Sequence, residues 1–528
     1  MARSLVTSRP RPDGNDPVGE NTSLVPLLAA TNLVLLATRL SSQQGIGPMT
    51  QSKTRESPSR KTHRRLRKAP ARIPQVGFPA AAAVAQPVPA PEVMHPHAAA
   101  IDVHSDNHVV CVGPNQVQTF GAYTVDLHAL VDHLRQHEVT TVVLESTGVY
   151  WVPLFELLAS SGFEVLLIEP SQARHCGARP KTDVADCQWL QRLHTYGLLR
   201  PSFRPPESVL ALRGYWRQRQ MQVRYAASHV QHIQKALEQM NVKLTEVAAD
   251  IMGLTGTRIL EAILQGERDA TQLARLRDPT CQKTEQEYAQ ALQGTWRPEH
   301  LFALKQAYAL YRFHHQQITE CDERVAEELA RLPNRAADKP FQPRPRRRGR
   351  KSNEVRFAAT QPLFKALGVD LTLIDGIEVN TALVILAEIG VDVSRFPTEK
   401  HFASWLRLSP QLEESNHTRK KRSPRRGKNR VAQALRMAAQ AVSRTKTALA
   451  VFYHRIKGRL GGKGAITATA HKLALLVYRL LKYGVDYVRQ SLEDYAAQVQ
   501  EQLERSLRRK AAQLGYELVP KTAAAEPS

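Results

Sequence analysis

The chain has 528 residues, and its 73 Lys and Arg against 49 Asp and Glu give a formal net charge of +24. That length exceeds what one hydrophobic core organises, so two or three domains with tails are expected, and the charge points to a polyanionic partner: nucleic acid first, an anionic membrane second, with solubilising charge as the plain alternative. Five scattered cysteines (Cys111, Cys176, Cys187, Cys281 and Cys321), with no CxxC pair, suggest neither a disulfide framework nor a zinc site and fit a reducing, cytoplasmic setting.

Residues 1–95 carry no sustained periodicity, a basic run (Lys61, Arg64, Arg65, Arg67, Lys68) and an Ala/Pro tract, and are expected to be a disordered basic tail. The apolar stretch Leu24–Thr38 inside it is interrupted by Pro26, Thr31 and Asn32 and is shorter than the roughly 20 residues of a membrane span, so no membrane partner is expected. Met49 and Met94 are alternative starts, which would place translation later than Met1. From 96 to 205 the texture changes to short apolar runs between polar turns. AAAIDVH, HVVCVG and VQTFGAY read as three strands in meander order, followed by a helix from Asp126, the strand TTVVLES, a helix from Trp151, the strand FEVLLIE and a helix after Lys181. This order predicts a mixed sheet with helices on its faces.

After Pro205 the strands stop. Residues 206–333 show helical spacing over Val209–Leu244 and again over Pro298–Leu332, which predicts an antiparallel helical arm or coiled coil serving as spacer or oligomerisation element. Residues 334–362, with PRPRRRGRK, read as a basic linker, 363–495 as a basic and mainly helical domain, and 496–528 as a helical tail with a disordered end.

Asp102 closes the first strand and Glu145 closes the strand VVLE, so both acids emerge at one sheet edge if those strands are neighbours. Asp183 and Asp186 follow in KTDVADCQWLQRL, where the i, i+3 spacing puts them on one helix face with β-carbons about 5–6 Å apart. Four converging carboxylates repel one another unless a cation neutralises them, and an all-oxygen set suits Mg2+ or Mn2+ rather than zinc. Two such ions about 3.5–4 Å apart activate a nucleophile and stabilise the leaving oxygen of a phosphodiester. Taken singly, an Asp at a strand end is a turn residue and a helical DxxD a solvated face. Taken jointly, acids after strand one, after strand four and on a later helix form the pattern of a ribonuclease-H-like nuclease. Asp106, Asp132 and Glu169 do not sit at those positions and are set aside.

IDVHSDNH, LESTGVYW, KTDVADCQWLQRL and GLLRPSFRP resemble the DEDD-type transposases of the insertion-sequence-110 family, and IDGIEVNTALVILAEIG, FASWLRLSP and RGKNRVAQALRMAA resemble that family's C-terminal transposase domain. The resemblance implies a RuvC-like domain binding metal through Asp102, Glu145, Asp183 and Asp186, and a C-terminal serine nucleophile aligned with Ser415. Asn416 stands where the family pattern has glycine. It further implies a prokaryotic, nucleoid-associated DNA recombinase acting on element ends and target DNA, a phosphoserine-DNA intermediate, a structured guide RNA, and a homodimer or homotetramer. The fold class is therefore α/β plus all-α.

Independently of family, a hydroxyl at Ser415 flanked by Arg419, Lys420, Lys421 and Arg422 sits in a positive field suited to phosphate, and Arg425, Arg426, Lys428 and Arg430 extend that basic run. The alternative is that Ser415 caps a turn in a DNA-contact loop; Ser404, Ser409 and Ser423 compete with it. DGIEVNTA reads either as a helix-hairpin-helix whose turn amides hold a phosphate or as an ordinary core hairpin. Tyr150 and Trp151 read as base-stacking or core aromatics. Two other functions remain open, a Holliday-junction-type nuclease using the acids alone and an inactive DNA-binding derivative.

Overall fold

The computed structural model describes residues 92–114, 116–174, 182–342, 353–415, 418–422, 429–485, 497, 500–501 and 504–517. The expected N-terminal tail, up to residue 91, lies outside them. Three strands open the fold as a meander: β1 (Ala98–Val103), β2 (Asn107–Gly113) and β3 (Gln116–Gly121). Then come α1 (Thr124–Gln136), β4 (Thr141–Glu145), α2 (Trp151–Ser160), β5 (Glu164–Ile168), the short α3 (Pro170–Arg174) and α4 (Asp183–Thr195). The sheet order is β3-β2-β1-β4-β5, with β2 antiparallel to β1 and to β3, and with β4 parallel to β1 and to β5.

β1 is buried along all six residues because it is the central strand and both its faces are covered. One face, through Ala99, Ile101, Val142 and Leu144, packs on Leu130 and Leu134 of α1 and on Leu154 and Leu158 of α2. The other, through Ala100, Val143 and Ile168, packs on Cys187, Leu190 and Leu193 of α4. β3 is the half-exposed edge strand, which is why its apolar pattern is the weakest of the five.

Two long helices follow, α5 (Leu210–Gln239) and, after the short helices α6 (Leu244–Val247), α7 (Leu254–Gln265), α8 (Ala270–Arg275) and α9 (Glu285–Ala291), the return helix α10 (Pro298–Arg331). Arg219 pairs with Asp322 while Gln222 meets His314, so the two run antiparallel. Between the two long helices, the four short helices form a separate core with the far ends of α5 and α10, around Ile233, Leu237, Ile259, Ile263, Leu273 and Leu304. The near ends belong elsewhere. Val209, Leu212, Trp216, Val325 and Leu329 sit in the core of the C-terminal region.

That region comprises α11 (Thr360–Leu367), α12 (Val379–Ile389), α13 (Glu399–Trp405), a hairpin of β6 (Gln411–Ser415) and β7 (Thr418–Arg422), α14 (Arg430–Val442) and α15 (Ala448–Tyr483), which kinks at Gly461. The hairpin is a feature that a mainly helical reading lacks. Its strands are five residues long and the second is almost wholly basic, so no apolar alternation marks them. Of the expected linker, residues 343–352 are outside the described set, but its flank is built in: Val355 and Ala359 are buried and the Arg356 backbone amide donates to Asp322 at 3.1 Å. Residues 504–513 are helical. Among the described residues no helix is long and apolar enough to cross a membrane.

Candidate functional site

β1 and β4 run parallel with Ile101 opposite Leu144, so the next residues, Asp102 and Glu145, lie level at the C-terminal ends of adjacent strands. Side chains alternate along a strand. Ile101 and Leu144 belong to the α1/α2 core, and Ala100 and Val143 to the α4 core. Asp102 and Glu145 therefore share the α4 face, and Glu145 is paired with Ile168, itself in the α4 core.

α4 is laced to that face. The Cys187 thiol donates to the carbonyls of Ala100 at 3.3 Å and Val109 at 3.1 Å. Further along, Gln191 Nε2 donates to the Ala98 carbonyl at 3.1 Å and His194 Nε2 lies 3.0 Å from Thr141 Oγ1. These ties step backward along β1, so the helix N-terminus comes to the strand's C-terminal end and carries Asp183 and Asp186 in its first turn. Thr182 caps the helix by accepting from the Ala185 amide at 3.2 Å. The positive end of the helix dipole therefore lies beside both aspartates.

His104 enters the cluster as well. Its Nε2 is 3.4 Å from Asp102 Oδ2 and 3.8 Å from Asp183 Oδ2. One ligand atom from each of Asp102, His104 and Asp183 lies within 4.8 Å of the others. Burial raises the Asp102 carboxyl above the ordinary carboxylate range, His104 opposes the rise, and the charges of Asp183 and Asp186 reinforce it. Asp186 thus acts electrostatically on Asp102. The His104 Nε2 atom is buried with no hydrogen-bond partner, although it faces two carboxylates. Crowded acids and an unsatisfied imidazole nitrogen fit a divalent cation, with the oxygen-rich set favouring a hard ion and the imidazole a softer one. His104 lies just beyond β1, in the polar turn that leads to β2, so strand spacing gave no signal for it.

Ser146 and Glu169, at the ends of β4 and β5, line a cleft of about 1040 Å3. Its other wall comes from the C-terminal region, with Arg395, Trp405, Arg407, Ser409, Pro410 and Asn429. Arg407 Nη2 donates to Glu169 Oε1 at 3.4 Å across the cleft, from a backbone at φ 57° that L-residues seldom adopt. Glu169, set aside on sequence, therefore belongs to the cleft wall, whereas Asp106 is exposed in the β1–β2 turn and Asp132 pairs with Arg135 on α1.

Ser404 and Ser409 line the cleft. Ser415 ends β6 with its backbone paired to Thr418, and Arg419, Lys420, Lys421 and Arg422 lie along β7; the side chains of these residues, and all of Asn416, Ser423, Arg425, Arg426 and Lys428, are outside the described set. The chain departs toward this hairpin from Pro410 and returns from it at Asn429, both on the cleft wall. Arg430 lies 3.6 Å from Glu388 and donates to Gln220 at 3.1 Å. In DGIEVNTA, Gly376 has φ 86°, and a Cβ there would collide with Val442 and lie 2.9 Å from the Ala438 carbonyl oxygen, so this glycine serves close packing on α14. Trp151 packs edge-on against Phe155 beside the sheet core, while Tyr150 is exposed.

Two family models match the chain. A transposase model of the DEDD type from IS110 covers residues 99–242, which hold the sheet, all four acids and α5. The model described as the transposase IS116/IS110/IS902 family covers residues 370–454, which hold α12 to α14, the hairpin and the start of α15. No curated protein matches the chain.

Proposed function

We propose that this chain, which belongs to the insertion-sequence-110 family of transposases, cuts and rejoins DNA strands at the cluster of Asp102, Glu145, Asp183 and Asp186, with Mg2+ or Mn2+ held there. The observation that carries this reading is the convergence of the level strand ends of β1 and β4 with the first turn of α4 on one face of the sheet. The sheet order β3-β2-β1-β4-β5, with acids on the central strands, supports a ribonuclease-H-like, RuvC-like domain. When bound, the divalent ion supplies charge that activates the attacking group and stabilises the leaving oxygen.

The chain's own residues do the rest. Asp102 is held under the cluster by burial, and α4 holds Asp183 and Asp186 against it. Ser415 is the proposed nucleophile: its Oγ forms a bond to phosphorus as a DNA oxygen leaves and takes a proton, giving a phosphoserine-DNA ester. A second DNA hydroxyl reverses the exchange, so phosphodiester energy is conserved. Support comes from the cleft, since the chain reaches the Ser415 hairpin from Pro410 and returns at Asn429, facing the strand ends that carry Ser146 and Glu169. Arg419 to Arg422, with Arg425, Arg426, Lys428 and Arg430, are assigned to DNA phosphates. A structured RNA from the element guides target choice in this reading, and the working unit is a homodimer or homotetramer.

The test combines two substitutions. Asp102→Ala should abolish metal-dependent strand cleavage while sparing salt-sensitive DNA binding, and Ser415→Ala should abolish the covalent protein-DNA adduct. Cleavage without any adduct in the unsubstituted protein would instead favour a junction nuclease, a reading helped by the fact that all four acids lie between β1 and α4.

A further inference from the structure

Glu388, in the last turn of α12, is only 8% exposed, yet three guanidinium groups from two other helices reach it. Arg217 donates to it twice, through Nε at 2.8 Å and Nη2 at 2.7 Å. Arg213, one turn earlier on α5, places Nε 3.3 Å away, and Arg430, the first residue of α14, places Nε 3.6 Å away. One carboxylate neutralises one cation, and among the described residues no second acid is paired with these three. Two positive charges are left over.

The surplus shows in the electrostatics. Burial lowers the hold of Arg213 on its proton, Glu388 opposes this, and Arg217, Arg430 and Arg204 add to the lowering. Burial likewise acts first on Arg430, followed by Arg217, with Glu388 opposing and Arg224 contributing. Partly buried like charges are costly unless an anion joins them. The side chains of Arg213, Arg217 and Arg430 are 24%, 37% and 40% exposed, although the Nε of Arg213 is itself buried. Their position is also informative. Arg430 follows Asn429, which lines the large cleft, and Arg204 lines an adjoining cleft of about 450 Å3 that shares Pro201, Ser202 and Arg395 with the first.

We propose that Arg213, Arg217 and Arg430, held in place by Glu388, form a binding site for the backbone phosphates of the DNA strand that leaves the cleft. Guanidinium forks pair with phosphate oxygens bidentately, and the buried carboxylate pre-orders them for it. DNA rather than RNA is the assigned occupant because Arg430 directly follows Asn429, on the wall of the cleft from which the chain runs to the proposed Ser415 nucleophile and back, and in this it rests on the reading above.

The experiment measures binding of a fluorescent random-sequence duplex DNA to the full-length protein over a salt series without divalent metal, with single-stranded RNA of equal length as comparison. Arg213→Gln combined with Arg217→Gln should flatten the plot of log affinity against log salt by about two units, since each phosphate contact contributes about 0.9. Arg430→Gln should flatten it by about one. Glu388→Gln should keep or steepen the slope while lowering the unfolding midpoint. An unchanged slope in the folded double variant overturns the site; if that variant does not fold, an unchanged slope in Arg430→Gln does so. A loss confined to RNA overturns the assignment to DNA. Because no cleavage is read, failure here leaves the acid cluster standing, and a flattened slope alongside absent metal-dependent cleavage would sink only the cluster.

Discussion

The Cys187 thiol of α4 donates to the carbonyl oxygen of Ala100 at 3.3 Å, two residues before Asp102 on β1. This contact lies one turn after Asp183 and one residue after Asp186, and it sets the spacing between helix and strand. Replacing it with a larger side chain pushes α4 off the sheet. Cys187→Leu is expected to cost about 1–3 kcal/mol by overpacking, read by urea unfolding, and to depress metal-dependent cleavage far more than DNA binding. Equal losses in both would mean that α4 does not set the acids.

His194, at the other end of α4, is buried, lies 3.0 Å from Thr141 Oγ1 and stacks on His95 at 4.9 Å. Burial, then the His95 charge, pushes its pKa down from the usual 6.5 to about 4. The folded value lies below the unfolded one, so the unfolded chain binds the extra proton. The stabilising effect is complete above about pH 6.5 and is lost as pH falls toward 4, amounting to about 3 kcal/mol at most. Unfolding midpoints from pH 7 to 4.5 should fall in the unsubstituted protein and fall less steeply in His194→Gln.

The base of the arm depends on a buried ion pair, Arg219 Nε to Asp322 Oδ1 at 2.5 Å, and Asp322 also accepts from the Arg356 amide. Removing one partner strands a charge in the core. Arg219→Ala should cost about 3–5 kcal/mol, whereas an apolar replacement of both, Arg219→Met with Asp322→Leu, should recover much of that. Differential scanning calorimetry distinguishes the two outcomes; a double variant no better than the single one would show that the Arg356 contact matters more than the pair.

Arg407 and Glu169 are half exposed, so their bond contributes at most about 1 kcal/mol. Arg407→Ala should leave the melting temperature nearly unchanged. If the cleft wall positions the DNA, cleavage should nonetheless fall at least tenfold. Unaltered cleavage would remove this pair from the machinery.

Much of the sheet was legible because its inner strands β1 and β4 are buried along nearly their whole length and read as short apolar runs, AAAID and VVLE. Asp102 and Glu145 stood out as the polar residues ending those runs. His104 did not, because it lies just beyond β1 in a polar turn. The roles of Glu169 and Glu388 were invisible for another reason: their partners, Arg407 and Arg217, are remote in sequence and meet them only through the packing of the C-terminal region. The hairpin β6–β7 was hidden by its basic composition, although Glu413 and Glu414, in register with Lys420 and Arg419, were a usable signal.

The most direct measurement is strand cleavage of DNA carrying the element's ends, titrated with Mg2+ and Mn2+, for the unsubstituted protein and for Glu145→Gln. Glu145 ends the strand beside β1, level with Asp102. Saturable metal-dependent cleavage that Glu145→Gln reduces by a hundredfold or more, with DNA binding retained, is the expected result. Cleavage that proceeds equally well in both proteins, or without divalent metal, would contradict the assignment of the four acids as the catalytic centre.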